Sequence, residues 1–288
     1  MRSTDSFFTG DEYQLRLGIF LSNQRRIREH NAANKGFTLS INKFAAMTPA
    51  EYRALLSAKP RPVATKSIRT SSPNVDSIDW RQKGCVNPIK DQGQCGACWA
   101  FLIVQCIESE YAAKKGTLYS LSVQQLIDCV DGAASGCSGG NPLKAWQYII
   151  DNHMGLMKES DYKYSGTETP CAYDASKAVV FINGYGNITS ETDLASKVAD
   201  LGPVSVIIDA SSWSFQLYSG GIYDEPSCSS TNLDHAVGVV GFGTQGSTPY
   251  WIVRNSWGVS WGESGYIRMI KDKNNQCGIA TAASYATL

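Results

Sequence analysis

One thiol in this sequence stands where nucleophilic chemistry is favoured. Cys98 follows a glycine-rich approach, Asp91-Gln92-Gly93-Gln94-Cys95-Gly96-Ala97, and opens a predicted helix from about Cys98 to Lys115 that Gly116 stops. The free N–H groups and the dipole of a first helical turn favour an anion there, and the thiolate is the attacking form of cysteine. Such a nucleophile needs a base, and the base needs an orienting partner. The sequence holds three histidines: His30 near the end of the first helical pattern, His153 at a helix end beside Gly155, and His235 opening a strand-like run. Cys95 and Cys98 also form a Cys-x-x-Cys, the spacing of a redox pair or of half a zinc site. With no second such pair, no His-x-His-like pair and no preceding βαβ pattern, neither a metal nor a cofactor is expected.

The elements that must position these groups are legible from periodicity and capping. Asp11 to Asn31 lacks proline, and Glu12, Arg16, Phe20, Asn23, Ile27 and Asn31 recur at spacings of three and four, one stripe of a helix. Phe37, Leu39 and Ile41 alternate with Thr38 and Ser40 as in a short strand. Thr48-Pro49-Ala50-Glu51 reads as an N-cap, a first-turn proline and the glutamate of a capping box, opening a helix to about Ser57. Residues 59–74 carry Pro60, Pro62 and Pro73 among small and basic residues, an extended linker. Beyond the Cys98 helix, Ser122 with Gln125 marks another capping box, Asn141-Pro142 starts a helix to about His153, and Ser190 caps a helix ending at Gly202. Strand-type runs follow at 204–208, 236–242, 250–254 and 266–270, so the body is helical first and sheet-rich second, an α+β layout.

Composition excludes several classes. With 288 residues, 43% hydrophobic and 18% charged, the chain buries a large core, and its longest apolar stretch, about 99–104, is far short of the roughly 20 residues of a membrane span. Residues 1–20 carry Arg2, Asp5, Asp11, Glu12 and Arg16 and so lack the apolar core of a secretory signal. The zero net charge conceals a split: residues 1–73 hold 12 Lys+Arg against 5 Asp+Glu, or +7, and residues 74–288 hold 14 against 21, or −7. The basic residues lie along patterned helices rather than in a run, which points to attraction within the chain and not to nucleic acid. Nine cysteines suit an oxidising compartment, and the odd number leaves at least one unpaired.

Cys95-Gly96-Ala97-Cys98-Trp99-Ala100-Phe101 closely resembles the nucleophile segment of the papain and cathepsin L family of cysteine proteases. Asp79-Trp80-Arg81, Gln92, Gly136-Cys137-Ser138-Gly139-Gly140, Asp234-His235-Ala236, Asn255-Ser256-Trp257-Gly258 and Trp261-Gly262 resemble that family in the same order, and the six-residue helical stripe resembles its inhibitory pro-region. The similarity covers residues 11–288. It implies a two-lobed papain-like fold, with a helical lobe at about 74–183 and a β-barrel-like lobe at about 184–288, preceded by an inhibitory pro-segment, 1–73. His235 and Asn255 lie 137 and 157 residues after Cys98, by subtraction. The resemblance makes Cys98 and His235 a thiolate–imidazolium pair, Asn255 the acceptor of the second imidazole N–H, Trp257 its shield from water, and the Gln92 amide an oxyanion donor beside the Cys98 N–H. Asp234 ranks below Cys98, His235, Asn255 and Gln92.

The resemblance further implies an endopeptidase whose apolar pocket takes the substrate residue two before the cut. Pro142, Ile207, Leu233 and Ala236 form its walls, Ala282 its base, Asn141 lies at its rim, and Gly139 and Gly140 offer backbone hydrogen bonds. Leu, Phe or Val is expected there. Disulfides are implied for Cys95–Cys137, Cys129–Cys171 and Cys228–Cys277, and the count leaves room for a fourth between Cys85 and Cys106. Expected partners are protein and peptide substrates, the chain's own pro-segment and cystatin-like inhibitors; a monomer in a lysosome-like acidic compartment, or secreted, is expected. The other reading, a binding protein that keeps the fold without activity, predicts loss of nucleophile, base or orienter, and none is lost. Departures from the family pattern are Ala97 for a commoner Ser, Leu102 for a small polar residue, and Ser40 and Ala46 in place of Gly and Asp. Asn187-Ile188-Thr189 is the one glycosylation sequon. The charge split predicts a pro-segment that loosens near pH 4 and is cut between about Lys66 and Asp76, and the distance to Trp80 in similar proteins implies a mature chain starting near Asn74.

Overall fold

The computed structural model describes residues 8–59, 73, 75–132 and 136–288. In chain order the elements are α1 (Gly10–Ala32), β1 (Phe37–Leu39), α2 (Pro49–Leu55), β2 (Ile78–Asp79), α3 (Cys98–Lys115), α4 (Val123–Cys129), α5 (Pro142–Asp151), β3 (Leu156–Met157), β4 (Ala178–Val180), β5 (Gly184–Ile188), α6 (Glu191–Asp200), β6 (Val204–Ile208), α7 (Trp213–Gln216), β7 (Tyr218–Tyr223), β8 (His235–Gln245), β9 (Thr248–Arg254), β10 (Tyr266–Ile270) and β11 (Ala282–Thr287). The helices come first and the sheet second, as the periodicity implies.

Capping chemistry sets the helix ends. Thr48 Oγ1 accepts from the Glu51 N–H while the Glu51 carboxylate accepts from the Thr48 N–H, a full capping box. At Ser122 only half of the expected box forms, because the Gln125 side chain instead donates to Gly155 O and accepts from Met157 N. α2 stops at Leu55, two residues short of the expected end: Leu56 leaves the helical region at φ −94°, ψ 72°, and the chain runs on extended.

A nine-stranded sheet has the order β1-β7-β10-β9-β8-β6-β11-β5, with β2 paired to β8; β7 and β10 are parallel and the other pairs antiparallel. β1 from the N-terminal segment extends the sheet at its edge, with Phe37 opposite Gly221. Gly221 has φ +88°, and a Cβ there would strike the backbone of Gly36 and Phe37, so the position must be glycine for β1 to dock. The strands β5, β7 and β11 escaped the sequence reading, being short and rich in Gly, Ser and Ala.

Two cores result. The helical lobe packs Trp99, Ile103, Leu126 and Trp146. The sheet lobe packs Val206, Phe215, Val237, Trp251 and Trp261, and Ile27, Phe37, Phe44, Tyr52 and Leu55 of the N-terminal segment belong to the same cluster. Each buried side chain of that size contributes about 1.5–3 kcal/mol, so five of them anchor the segment far more firmly than exposed ion pairs do. No helix among the described residues is long and apolar enough to cross a membrane. Asn187 lies within β5 opposite Ser284, its side-chain oxygen buried.

The disulfides Cys95–Cys137, Cys129–Cys171 and Cys228–Cys277 form as implied, and Cys85, Cys98 and Cys106 are free. The fourth bridge that the count allowed is absent. Cys85 lies in the sheet-lobe core and Cys106 in the helical-lobe core, where the Cys106 thiol donates to Pro203 O and the Glu110 carboxylate. Thiol titration of the denatured, unreduced protein is therefore expected to give three equivalents; a single equivalent would mean that Cys85 and Cys106 bridge after all.

Candidate active site

Cys98 is the first residue of α3, and Ala97 before it makes no side-chain cap. The Cys95–Cys137 bridge and the Gly96 N–H donating to Cys137 O (2.8 Å) fix the loop that delivers it. Bridging also removes Cys95 from any redox or zinc pairing with Cys98. His235 opens β8, and its Nε2 lies 2.8 Å from Asn255 Oδ1, at the end of β9. Asn255 Oδ1 also accepts from the Ser256 N–H (2.8 Å), and the Asn255 N–H donates to Gly265 O. The imidazole stacks on Trp257, with centroids 4.6 Å apart and planes at 27°. Its other nitrogen, Nδ1, has no hydrogen-bond partner among the described residues.

Gln92 is locked at both ends. Its Oε1 accepts from Ser256 Oγ (2.7 Å) and its N–H donates to Ser256 O (2.8 Å), which orients Nε2 toward Cys95 O (3.0 Å) and Leu55 O (3.3 Å). The Asp234 carboxylate accepts from the Ala210 N–H (2.9 Å), and burial, with Asp209 nearby, pushes it up to about 7.

The N-terminal segment crosses this constellation. After α2, Ser57 Oγ donates to Gly96 O (2.6 Å), the Gly140 N–H donates to Ser57 O (3.2 Å), the Lys59 N–H to Gly140 O (3.0 Å) and the Ala58 N–H to Asp234 O (3.0 Å). Ala58 bridges Gly140 in parallel. Gly139, at φ +106°, leaves the space: a Cβ there would collide with Ser57 O. The Ala58 methyl packs with Cys98, Leu102, Ile207, Leu233 and Ala236, and Ala282 adjoins them. Four of the five expected pocket residues thus surround one alanine, and Pro142 is buried at the first position of α5. Asn141 is no rim residue: its Oδ1 caps α5, accepting from Leu143 N and Lys144 N, and it is buried.

Burial works against the expected ionisation. Cys98 and His235 are both 0% exposed. Desolvation pushes the thiol up, against backbone hydrogen bonding from Ala236 and Ser57, the Ser57 hydroxyl and the Trp99 backbone, and it pushes the imidazole down to about 4 despite the Asn255 bond. In this covered state burial opposes the charged form of each group. The helix N-terminus alone does not overcome the loss of water.

Several contributors gave no sequence signal. Leu55, Ser57 and Ala58 belong to no motif; they act through the Leu55 carbonyl and buried side chain, the Ser57 backbone and hydroxyl, and the small Ala58 methyl. Phe44 and Tyr52 pack against Trp257 at 4.9 and 5.9 Å. Below the site, buried Glu108 accepts from Lys90 Nζ (3.2 Å) and Leu121 N (2.8 Å), and buried Arg254 donates to Pro88 O (2.7 Å). Charges inside otherwise apolar helix and strand patterns were the available clue. Residues 60–72 and Asn74, which hold most of the expected linker, its cleavage region and the expected mature terminus, lie outside the described residues. Among the described residues no cluster of His, Cys, Asp and Glu could hold a metal ion.

Comparison with known proteins matches residues 74–287 to the papain family cysteine protease model and residues 1–52 to the cathepsin propeptide inhibitor domain. A digestive cysteine proteinase of Homarus americanus is 44% identical over 96% of this chain and 89% of its own length, and procathepsin L of Rattus norvegicus is 44% identical over 96% and 86%. Digestive procathepsin L 3 from the larval midgut of Tenebrio molitor superposes with a TM-score of 0.91 at 38% identity, covering 100% of this chain and 96% of that one. Recombinant stem bromelain precursor gives 0.88 at 35% identity, covering 100% and 95%. The chain belongs to the papain family of cysteine proteases and is a cathepsin L-like proenzyme that carries the family's inhibitory propeptide.

Proposed function

We propose that the protease works through Cys98 as nucleophile, His235 as its base, Asn255 as the group that orients the base, and the Gln92 amide with the Cys98 N–H as oxyanion donors. The observation that carries this reading is the extended segment 56–59 that follows α2: the Leu55 carbonyl before it accepts from Gln92 Nε2, and its Ala58 methyl packs with Cys98 in the apolar pocket. Removal of the segment readmits water, which lowers the thiol and raises the imidazole toward the ordinary ranges, so that a proton passes from Cys98 to His235. The thiolate then attacks the peptide carbonyl carbon, Gln92 holds the oxyanion, and His235 returns its proton to the leaving amine. Water activated by His235 cleaves the resulting thioester. The pocket of Pro142, Ile207, Leu233, Ala236 and Ala282 favours Leu, Phe or Val two residues before the cut, with Gly139 and Gly140 bonding the substrate backbone and Trp257 forming part of the cleft beyond Cys98.

We infer a division into a pro-segment, 1–73, and a catalytic domain, 74–288, with lobes at about 74–183 and 184–288 and a mature start near Asn74. A monomer, open to cystatin-like inhibitors once uncovered, in a lysosome-like acidic compartment or secreted, fits three disulfides and relatives described as digestive proteinases and procathepsin L.

Acid activation has two candidate triggers. Among the described residues one ion pair crosses the seam, Lys43 with Asp91 (2.5 Å), and an exposed pair contributes at most about 1 kcal/mol. The Arg16–Glu51 pair lies inside the segment, and Arg16 holds Glu51 down at about 2, so it stays charged at pH 4. His30 answers acidification directly. It is buried at the end of α1, with Nε2 3.1 Å from Phe37 O and its ring between Phe37 and Trp213. Burial lowers its pKa, Lys35 adds to this, and the Phe37 backbone and Glu225 oppose it. Docking thus disfavours the histidine's proton, a released one binds it near 6.5, and docking weakens as the pH falls below that value.

Three outcomes are expected. Cys98→Ser and His235→Ala give folded precursors with peptidase activity reduced at least a thousandfold and no self-processing; near-normal hydrolysis of a Phe-Arg aminomethylcoumarin by either removes the assignment. Iodoacetamide labels Cys98 of the precursor at pH 7 at least tenfold more slowly than in the processed enzyme, as mass spectrometry of the Cys98 peptide reads. His30→Gln, which keeps a donor to Phe37 O but cannot titrate, flattens the rise in processing rate between pH 6.5 and 5, and an unchanged pH profile refutes the histidine trigger.

A further inference from the structure

Release of the pro-segment uncovers a side chain that is already carrying a ligand-like group. Trp213 opens α7, and Arg26 of α1 lays its guanidinium over the indole 3.9 Å from the ring centroid. No hydrogen bond or ion pair among the described residues reaches that guanidinium, so the indole face is its one specific contact. Around the pair lies a cavity of about 620 Å³ lined by Leu15, Ile19, Tyr52, Trp213 and Gln216. The segment leaves that space unfilled.

The course of the segment tells which part of the cleft Trp213 borders. Tyr52 packs on Trp257, Ser57 lies at the nucleophile, and Ala58 occupies the pocket for residues before the cut. α7 is on the Tyr52 side, because its Phe215 meets Trp257 at 5.7 Å and His235 at 6.3 Å. Beyond Cys98 from the apolar pocket, substrate residues are those that follow the cut. Ser214, next in chain, donates to the Glu225 carboxylate (2.9 Å), which adds negative charge to this region.

Resting on the protease reading above, we propose that Trp213 is a specificity-determining residue of the mature enzyme, whose indole face receives an arginine or lysine side chain from the substrate segment after the cut. The contact is the one Arg26 makes in the precursor, a cation over an aromatic face, worth about two- to fivefold in affinity at an exposed site. Arg26 therefore occupies in the precursor what a basic substrate residue occupies later.

The test uses mature enzyme released from the full precursor. Internally quenched peptides share Leu two before the cut and carry Arg, Lys, Ala or Glu in turn at each of four positions after it. A Leu-Arg aminomethylcoumarin, which has no residue after the cut, serves as the reference rate. The expected result is one position at which Arg and Lys exceed Ala in kcat/KM by about two- to fivefold, a ratio that falls to one in Trp213→Ala and is partly kept in Trp213→Phe. Equal rates for Arg and Ala at all four positions, or a ratio that survives in Trp213→Ala, overturns the proposal. A wild-type enzyme that leaves the coumarin substrate intact overturns the protease reading instead, and the subsite with it.

Discussion

Exclusion of water from one sulfur atom governs the whole molecule. Cys98 is placed by a helix terminus that favours its anion, yet with the extended segment 56–59 packed against it the thiol is fully buried, and burial pushes its pKa up. The segment holds through main-chain hydrogen bonds to Gly140 and Asp234, so its grip depends little on side-chain identity. The cover is thereby a steric block, and the burial that goes with it also opposes the charged forms of Cys98 and His235. The described segment before it helps to hold it, through the aromatic packing of Phe44 and Tyr52 on Trp257 and the added strand at the sheet edge.

The catalytic constellation was legible because its chemistry demands particular atoms. A helix-opening cysteine, a histidine opening a strand and a pair of amides are rare types at constrained places, and the structure sets His235, Asn255, Ser256 and Gln92 in one hydrogen-bonded series. Thr48-Pro49-Ala50-Glu51 was legible for the same local reason. The inhibitory contacts were not, since Ser57 and Ala58 act through main-chain groups, one hydroxyl and lack of bulk, which mark no position in a sequence. Ionisation also escaped the sequence: the local rule at a helix start is correct, and tertiary burial outweighs it. Ser122 with Gln125 failed as a box because a distant loop at Gly155–Met157 competes for the same amide.

The departures in the pro-region find a physical account as well. Ala46 stands where the family pattern has a carboxylate, and here its backbone oxygen accepts from Arg16 Nη1 (3.1 Å) while Glu51 supplies the charge. Asn42 donates to Gln216 O (2.8 Å), and Gln216 Nε2 returns a bond to Phe44 O (2.9 Å), so neutral amides join the segment to α7. A seam built of amides and aromatic rings leaves few carboxylates to neutralise. Among the described residues, Lys43–Asp91 is the one ion pair between the +7 and −7 parts.

Strand β1 also closes an edge. While it is present, the outer edge of β7 is covered, with Gly220 opposite Thr38 and the Ile222 N–H donating to Gly36 O (3.2 Å), and no side chain stands at Gly220 or Gly221. Maturation strips that strand off and leaves a short template that any extended chain can join by main-chain bonding alone. The processed molecule is therefore not simply the precursor minus its inhibitor. It is a sheet with one rung missing, and the conversion exchanges a closed surface for one that accepts a strand.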